Sequence, residues 1–353
     1  MKEPLFQLLL GNAATELKKV PNNLAQTCVT SPPYFSQRKY QTSPVDWEDG
    51  WNGELGREQS PEFYVQHLAD IFDEVKRVLR EDGTFWLNIG DKQIDNDLLG
   101  IPWMVAFELK RRGWILRSEI IWHNPSPIPD GAKNRPTKSH EQVFLFSKSN
   151  KYFYDMLAIA EPIKYPGKPR AFSKKGNDDR HDTGTIYDPS GRSMKNKRTV
   201  WTISNSKSLS SKHFACMPKK LAAFCIEAGS SEMGCCPICK APMRRILETE
   251  RIATRPAKNN KQDDTGSSNR DKERHVSFHK TIGWEPTCEH QFEDEVLPCI
   301  VLDPFSGAGT TGLEALKKSR SYLGIELNKD YYVESRERFL EIDPMFIGEG
   351  ELF

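Results

Sequence analysis

The sequence predicts an α/β fold with a doubly wound, mostly parallel sheet and helices on both faces. Three observations carry that prediction. Apolar runs of strand length alternate with amphipathic helical patterns between residues 60 and 147, the order that builds layered α/β domains. The same rhythm returns from residue 296 to about residue 342. At residues 298–312 a buried-strand pattern runs into a glycine-containing turn and then a helical pattern, and sheets of this kind bind ligands outside the carboxyl ends of their strands. A length of 353 residues suffices for one large domain with an insertion, or for two modest ones.

Leu8-Leu9-Leu10-Gly11-Asn12 precede a short helical pattern through Leu17 and a turn at Pro21-Asn22-Asn23. Residues 24–29 form an apolar strand that ends at Thr30-Ser31-Pro32-Pro33-Tyr34. The polar stretch 35–60 contains three turn-forming clusters and exceeds ordinary connection lengths. It is expected to be a lid over the strand end, with Arg38 and Lys39 contacting a polyanion. Ser60-Pro61 supplies an N-cap and a proline at the first helical position. Phe63, Leu68, Ile71, Phe72, Val75 and Leu79 give that helix an apolar face to about Arg80, and Asp82-Gly83 ends it. A strand at 84–89, a helix at 102–112 closed by Gly113, and strands at 114–122 and 142–147 follow. Residues 148–210 break the rhythm, Met217-Pro218 opens a helix ended by Gly229, and 235–292 is a second irregular stretch. Within it, 258–274 is polar enough to be disordered.

The formal net charge is +1, so any contact with a polyanion must be local. Residues 164–220 carry fourteen Lys/Arg against four Asp/Glu, whereas 293–353 carry six against thirteen. The basic run is the candidate polyanion contact, with a solvated Lys-rich loop as the alternative. The start of the chain has no signal pattern, and no stretch approaches the length of a membrane span. A cytoplasmic chain without membrane contact is expected. Eight cysteines in such a chain suggest metal ligation before disulfides.

Pro32 and Pro33 fix φ and remove two backbone donors, leaving the carbonyls of Ser31 and Pro32 as held acceptors beside the ring of Tyr34. That combination suits a planar, amine-bearing ligand such as a nucleobase swung out of its helix. Far down the chain, Gly307, Gly309 and Gly312 match G-x-G-x-x-G, and Glu326 ends the following strand. Glycines at 307 and 309 let backbone pass close to a ligand, and the helix N-terminus beyond offers free N–H groups. On glycines alone the turn fits a nicotinamide dinucleotide as well as S-adenosylmethionine.

Asp303-Pro304-Phe305-Ser306-Gly307-Ala308-Gly309-Thr310-Thr311 resembles the D-P-F-x-G-x-G-T cofactor motif of the DNA amino-methyltransferases, and Ser31-Pro32-Pro33-Tyr34 resembles their catalytic tetrapeptide. The tetrapeptide precedes the cofactor turn, as in the β class. His213-Phe214-Ala215-Cys216-Met217-Pro218-Lys219-Lys220-Leu221 is similar to that class's H-F-A-x-x-P-x-x-L segment, and Trp122-His123-Asn124-Pro125, Arg135-Pro136-Thr137 and His140-Glu141 also match it. Asn12 departs from the aspartate many relatives carry there.

The resemblance implies a Rossmann-like fold binding S-adenosylmethionine through Asp303, Phe305, Gly307, Gly309, Thr310, His213, Phe214 and Pro218, with Glu326 on the ribose hydroxyls. The two strands that end in these motifs should be neighbours at the centre of the sheet. It further implies a catalytic half at 1–150, target recognition at 151–210, a cofactor half at 211–234 and 293–353, and an insertion at 235–292. Double-stranded DNA is the implied partner, contacted by Arg38, Lys39, Lys195, Lys197 and Arg198, and a separate restriction endonuclease is a possible companion. Serine at the head of the tetrapeptide is usual for methylation at N4 of cytosine, aspartate for N6 of adenine, and adenine stays as the alternative. RNA or a protein amide also stays open as substrate. A nicotinamide-dependent oxidoreductase leaves the tetrapeptide unexplained, and an inactive nucleic-acid-binding module leaves the intact Asp303 and Glu326 unexplained. Finally, Cys236-Pro237-Ile238-Cys239 has metal-ligand spacing, and Cys288 with His290 completes a zinc-knuckle-like set.

Overall fold

The computed structural model describes residues 1–37, 44–162, 186–187, 193–204, 217–255, 274–292, 295–342 and 348–353. Arg38, Lys39, His213, Phe214 and the polar segment 258–273 lie outside these residues. The chain forms two compact units. The larger comprises Met1–Asp155, Arg198–Met243 and Pro286–Phe353; the smaller comprises Met156–Lys197 and Arg244–Glu285.

The larger unit is built on a nine-stranded sheet. Its strands in chain order are β1 (Leu5–Leu10), β2 (Ala25–Thr30), β3 (Leu79–Ile89), β4 (Ile115–His123), β5 (His140–Ser147), β6 (Val200–Thr202), β7 (Ile300–Asp303), β8 (Ser321–Glu326) and β9 (Gly348–Glu349). Across the sheet they run β6-β4-β5-β3-β2-β7-β8-β1-β9. Among the described residues of this sheet only β5 runs against its neighbours, β3 and β4; the other pairings are parallel. The mostly parallel sheet foreseen from the sequence is therefore present. β2 and β7 pair at its centre with Val301 opposite Thr27 and Leu302 opposite Cys28.

Among the described residues the five principal helices are α1 (Pro61–Val78), α2 (Ile101–Arg111), α3 (Lys219–Gly229), α4 (Thr310–Lys317) and α5 (Lys329–Leu340). α1 starts where its cap demands: Ser60 Oγ accepts the Phe63 N–H and Pro61 takes the first turn. Leu68, Ile71, Phe72 and Val75 of α1 pack with Val105 and Leu109 of α2 and with Phe85, Leu87, Phe144 and Phe146 of the sheet. Trp86, one residue out of phase on β3, points to the opposite face and meets Trp201, which packs edge-on against Phe224 of α3. This period-two division of a strand buried on both sides is what a doubly wound sheet requires.

Two details differ from the sequence reading. Phe63 is 54% exposed, so it does not join the apolar face of α1. β3 begins at Leu79, not Thr84: Ala25 pairs with Leu79 and Thr27 with Thr84, so the Asp82-Gly83 pair lies in a bulge inside the strand. The stretch 235–292 also contains regular structure, the paired strands Met243–Arg255 and Arg274–Pro286. Among the described residues no helix is long and apolar enough to cross a membrane.

Candidate active site

Both motif strands end on the same edge of the sheet, and a buried hydrogen bond joins them. Thr30 Oγ1, at the end of β2, donates to Asp303 Oδ1, at the end of β7, over 2.6 Å. The Phe305 N–H donates to the same oxygen. Asp303 is only 3% exposed. Burial pushes its carboxyl up to about 6, against the hydrogen bonds from Thr30, Phe305 and Thr311.

Beyond Thr30, Ser31 Oγ lies 3.1 Å from Tyr34 Oη. That hydroxyl donates to Glu141 Oε2 over 2.7 Å. The amide of Asn88 donates to Tyr34 Oη (2.6 Å), Glu141 (3.0 Å) and Ser31 Oγ (3.3 Å). Tyr64 of α1 donates to the Pro33 carbonyl. The tetrapeptide is thus held by three neighbouring elements, β3, β5 and α1. Burial, followed by the Glu141 carboxylate, raises the Tyr34 hydroxyl well above the usual phenol range, which keeps it a donor at neutral pH. Its ring lies over Gly90, where any Cβ would come within 2.5 Å of Cε2. Asn88 Oδ1 is buried and accepts no hydrogen bond among the described residues.

The sequence reading names Ser31 and Tyr34 and does not name Asn88 or Gly90, which the structure places beside them. Asn88 lies near the end of β3 and Gly90 just beyond it; the role of Asn88 depends on Glu141 of β5 and that of Gly90 on the Tyr34 ring, partners that one sequence does not reveal. Glu141 was visible only as part of a motif match, with no role attached.

The glycine turn carries the second group of candidates. Glu326 ends β8 with Oε2 accepting from the Gly307 N–H and Oε1 from the Asn328 N–H. Burial pushes its carboxyl up to about 7 despite these donors. Gly307 and Gly309 have φ of 53° and 75°, which glycine adopts without strain. A Cβ on Gly309 would meet Phe339, and one on Gly312 would meet Phe339 and Tyr322. Those two glycines therefore let α5 and β8 pack closely against α4, where the sequence reading had Gly309 facing a ligand. Asn12, the odd residue beside this turn, caps a short helix by accepting from the Ala14 N–H.

A family model described as DNA methylase matches residues 25–236 and 299–337, more than half of the chain and both motifs. The chain belongs to the N6/N4 DNA methylase family. It is therefore a DNA methyltransferase. Type II methyltransferase M.XycI of Xanthomonas campestris pv. cyanopsidis is 30% identical over 95% of this chain and 89% of its own. Type II methyltransferase M.SmaI of Serratia marcescens is 29% identical over 95% and 90%. Among solved structures, the PvuII DNA methyltransferase (cytosine-N4-specific) superposes with a TM-score of 0.58 at 18% identity, covering 97% of this chain and 90% of its own. A putative DNA modification methylase from Thermus thermophilus, complexed with S-adenosyl-L-methionine, gives a TM-score of 0.52 at 18% identity, with 98% and 99% covered.

In this methylase Cys236, Cys239, Cys288 and His290 bring one ligand atom each to within 4.8 Å of one another. Lys195, expected at a phosphate, pairs with Glu161 at 3.2 Å in the smaller unit. The Arg198 carbonyl, just before β6, accepts from the Trp201 indole over 2.6 Å. Pro218 is the residue before α3.

Proposed function

We propose that this methylase transfers a methyl group from S-adenosylmethionine to N4 of cytosine in double-stranded DNA, as the modification partner of a restriction system. The observation that carries the cytosine reading is Ser31 at the head of the tetrapeptide, with its hydroxyl oriented by Tyr34 and Asn88.

The residues fit the donor. Asp303 and Glu326 are buried carboxylates whose ionised form burial disfavours, and hydroxyl or ammonium groups of a ligand would relieve that cost. Each Glu326 oxygen accepts one backbone N–H and keeps lone-pair capacity for a ribose hydroxyl. When bound, S-adenosylmethionine supplies an electrophilic sulfonium methyl. The chain's own part is to make the target amine a better nucleophile. An exocyclic amine is weak because its lone pair is delocalised into the ring. Ser31 Oγ and the Pro32 carbonyl would accept its two hydrogens and pull the nitrogen toward tetrahedral geometry. Tyr34, held by Glu141 and Asn88, would stack on the flipped base. Because the work is positioning, small displacements of Ser31 or Tyr34 should cost rate heavily. A base without an amine would leave those acceptors buried and unpaired.

The same reading includes a zinc ion in the cysteine and histidine cluster, and DNA phosphates near Lys195, Lys197 and Arg198. Digestion of methylated DNA to nucleosides and their identification by mass spectrometry tests the target atom. N4-methylcytosine is expected; N6-methyladenine as the sole product would overturn the cytosine reading while leaving the positioning chemistry intact.

A further inference from the structure

The cysteine and histidine cluster lies at the end of the sheet opposite the catalytic residues, and the methyl-transfer chemistry does not use it. Cys236 and Cys239 flank a tight turn in which the Cys236 N–H bonds the Ala241 carbonyl, the Lys240 N–H bonds the Cys236 carbonyl, and Lys240 has φ of 62°. Cys288 and His290 come from the chain just after Pro286, where the Thr287 N–H bonds the Pro242 carbonyl. Cys236 Sγ is 4.0 Å from His290 Nδ1. Around zinc, ligand bonds of about 2.0–2.3 Å in a tetrahedron put ligand atoms roughly 3.5–3.8 Å apart. The four atoms, all within 4.8 Å of one another, need only a slight contraction to close on an ion. Three thiols and one imidazole suit zinc over calcium or magnesium, and four protein ligands leave no open position for catalysis.

The carbonyls of this turn are tied to the sheet by side chains from its central strands. Gln26, the second residue of β2 and 2% exposed, donates to the Lys240 carbonyl over 2.7 Å. Its other amide atom accepts the N–H of Ile300, the first residue of β7, over 2.6 Å. Arg80, the second residue of β3, donates to the Cys239 carbonyl. Cys235 exchanges backbone hydrogen bonds with Leu297, three residues before β7 begins. The turn is thus tied directly to the amino ends of β2 and β3, and to that of β7 through Gln26 and the segment preceding the strand; the carboxyl ends of the three strands carry Ser31, Asn88 and Asp303.

We infer that Cys236, Cys239, Cys288 and His290 form a structural zinc latch that fixes the amino ends of the three strands bearing the active site, with Gln26 as its link to β2 and β7. The inference rests on the zinc assignment proposed above and not on which base is methylated. Without an ion the turn is held by its hydrogen bonds to Gln26, Arg80 and Leu297 alone. Four ligand bonds would add a second restraint, drawing the chain at Cys288 and His290 against the turn and steadying the carbonyls that Gln26 and Arg80 grip. Binding to the folded state alone makes metal affinity part of folding stability.

The test uses the full-length protein. Metal analysis of the purified chain should give one zinc per chain, and replacement by cobalt should give the ligand-field and thiolate charge-transfer bands of a tetrahedral sulfur-rich site. Substoichiometric zinc together with no cobalt spectrum overturns the site itself. Removal of zinc by a chelator should lower Tm by roughly 5 °C or more and weaken S-adenosylmethionine binding several-fold in calorimetry. Gln26→Leu should keep its zinc yet reproduce part of both losses. Full zinc in Gln26→Leu, with Tm and cofactor affinity unchanged both in that variant and in the wild-type protein after chelation, would overturn the latch while leaving the metal site standing. Zinc content and Tm are read without turnover, so the metal site and its effect on stability are tested independently of which base is methylated. Cys239→Ser is the direct ligand variant. If it does not fold, chelation of the folded wild-type protein gives the same reading.

Discussion

Thr30→Val isolates the bond that joins the two motifs. The substitution keeps shape and removes only the hydroxyl that donates to Asp303 Oδ1 at 2.6 Å. Asp303 is 3% exposed, so water cannot take over the donor's place. A hydrogen bond to a charged group contributes about 1.5–3 kcal/mol and one to a neutral group about 0.5–1.5 kcal/mol. Burial raises the Asp303 carboxyl from 3.8 to about 6, so the folded state favours the protonated acid. The stability that Asp303 confers is complete below its unfolded value and is lost as pH rises through about 6. Removing the Thr30 donor raises the folded value further, and the added cost accrues where the carboxylate is ionised. Thr30→Val should therefore destabilise the protein by about 2 kcal/mol at pH 8 and by about 1 kcal/mol or less at pH 5. Urea unfolding of both proteins at the two pH values measures the difference. A penalty that is equal at both, or larger at pH 5, would refute the account of Asp303 as a buried carboxylate steadied by Thr30.

Two further outcomes bear on the site. Glu326→Ala should weaken S-adenosylmethionine binding by about 1–3 kcal/mol in calorimetry, the cost of losing hydrogen bonds to a charged acceptor; unchanged affinity would remove Glu326 from the cofactor site. Gly90→Ala places a Cβ 2.5 Å from the Tyr34 ring and should cut the methylation rate roughly a hundredfold, as misplacement by about 1 Å does elsewhere, with S-adenosylmethionine affinity retained. A parental rate in that variant would mean that the observed ring position is not the working one.

The parts of this fold that were legible in the sequence are those governed by local rules. Ser60 and Pro61 mark the start of α1 because capping chemistry is short-range. The neighbourhood of β2 and β7 could be anticipated because both motifs end strands and such ends meet at a switch point. Cys236, Cys239, Cys288 and His290 stood out by spacing, and the structure brings them together. Residues whose meaning depends on distant partners stayed hidden. Asn88 is one polar residue in an apolar strand until β5 delivers Glu141 beside it. Gly90 looks like a strand terminator until Tyr34 lies across it. Gly309 and Gly312 fit a ligand-facing pattern in sequence, yet their missing side chains make room for Phe339. The strand Met243–Arg255 escaped notice because Arg, Glu and Thr dominate it, leaving no apolar alternation to read.

The pairing at the centre of the sheet also dictates when the protein can assemble. Thr30 and Asp303 are 273 positions apart in the chain. At ribosomal rates of about 5–20 residues per second, roughly 15–55 s separate their synthesis. During that interval β2 has β3 on one side and an open edge on the other, since its second neighbour is β7. β1, made first of all, waits longer, because its partners β8 and β9 lie beyond residue 320. Unpaired strand edges invite wrong partners, so the nascent chain is most prone to aggregate while its apolar half is complete and its closing strands are not. Until β7 inserts, Asp303 and Ser31 cannot share a site, and a chain stopped short of it has no means of methylating DNA.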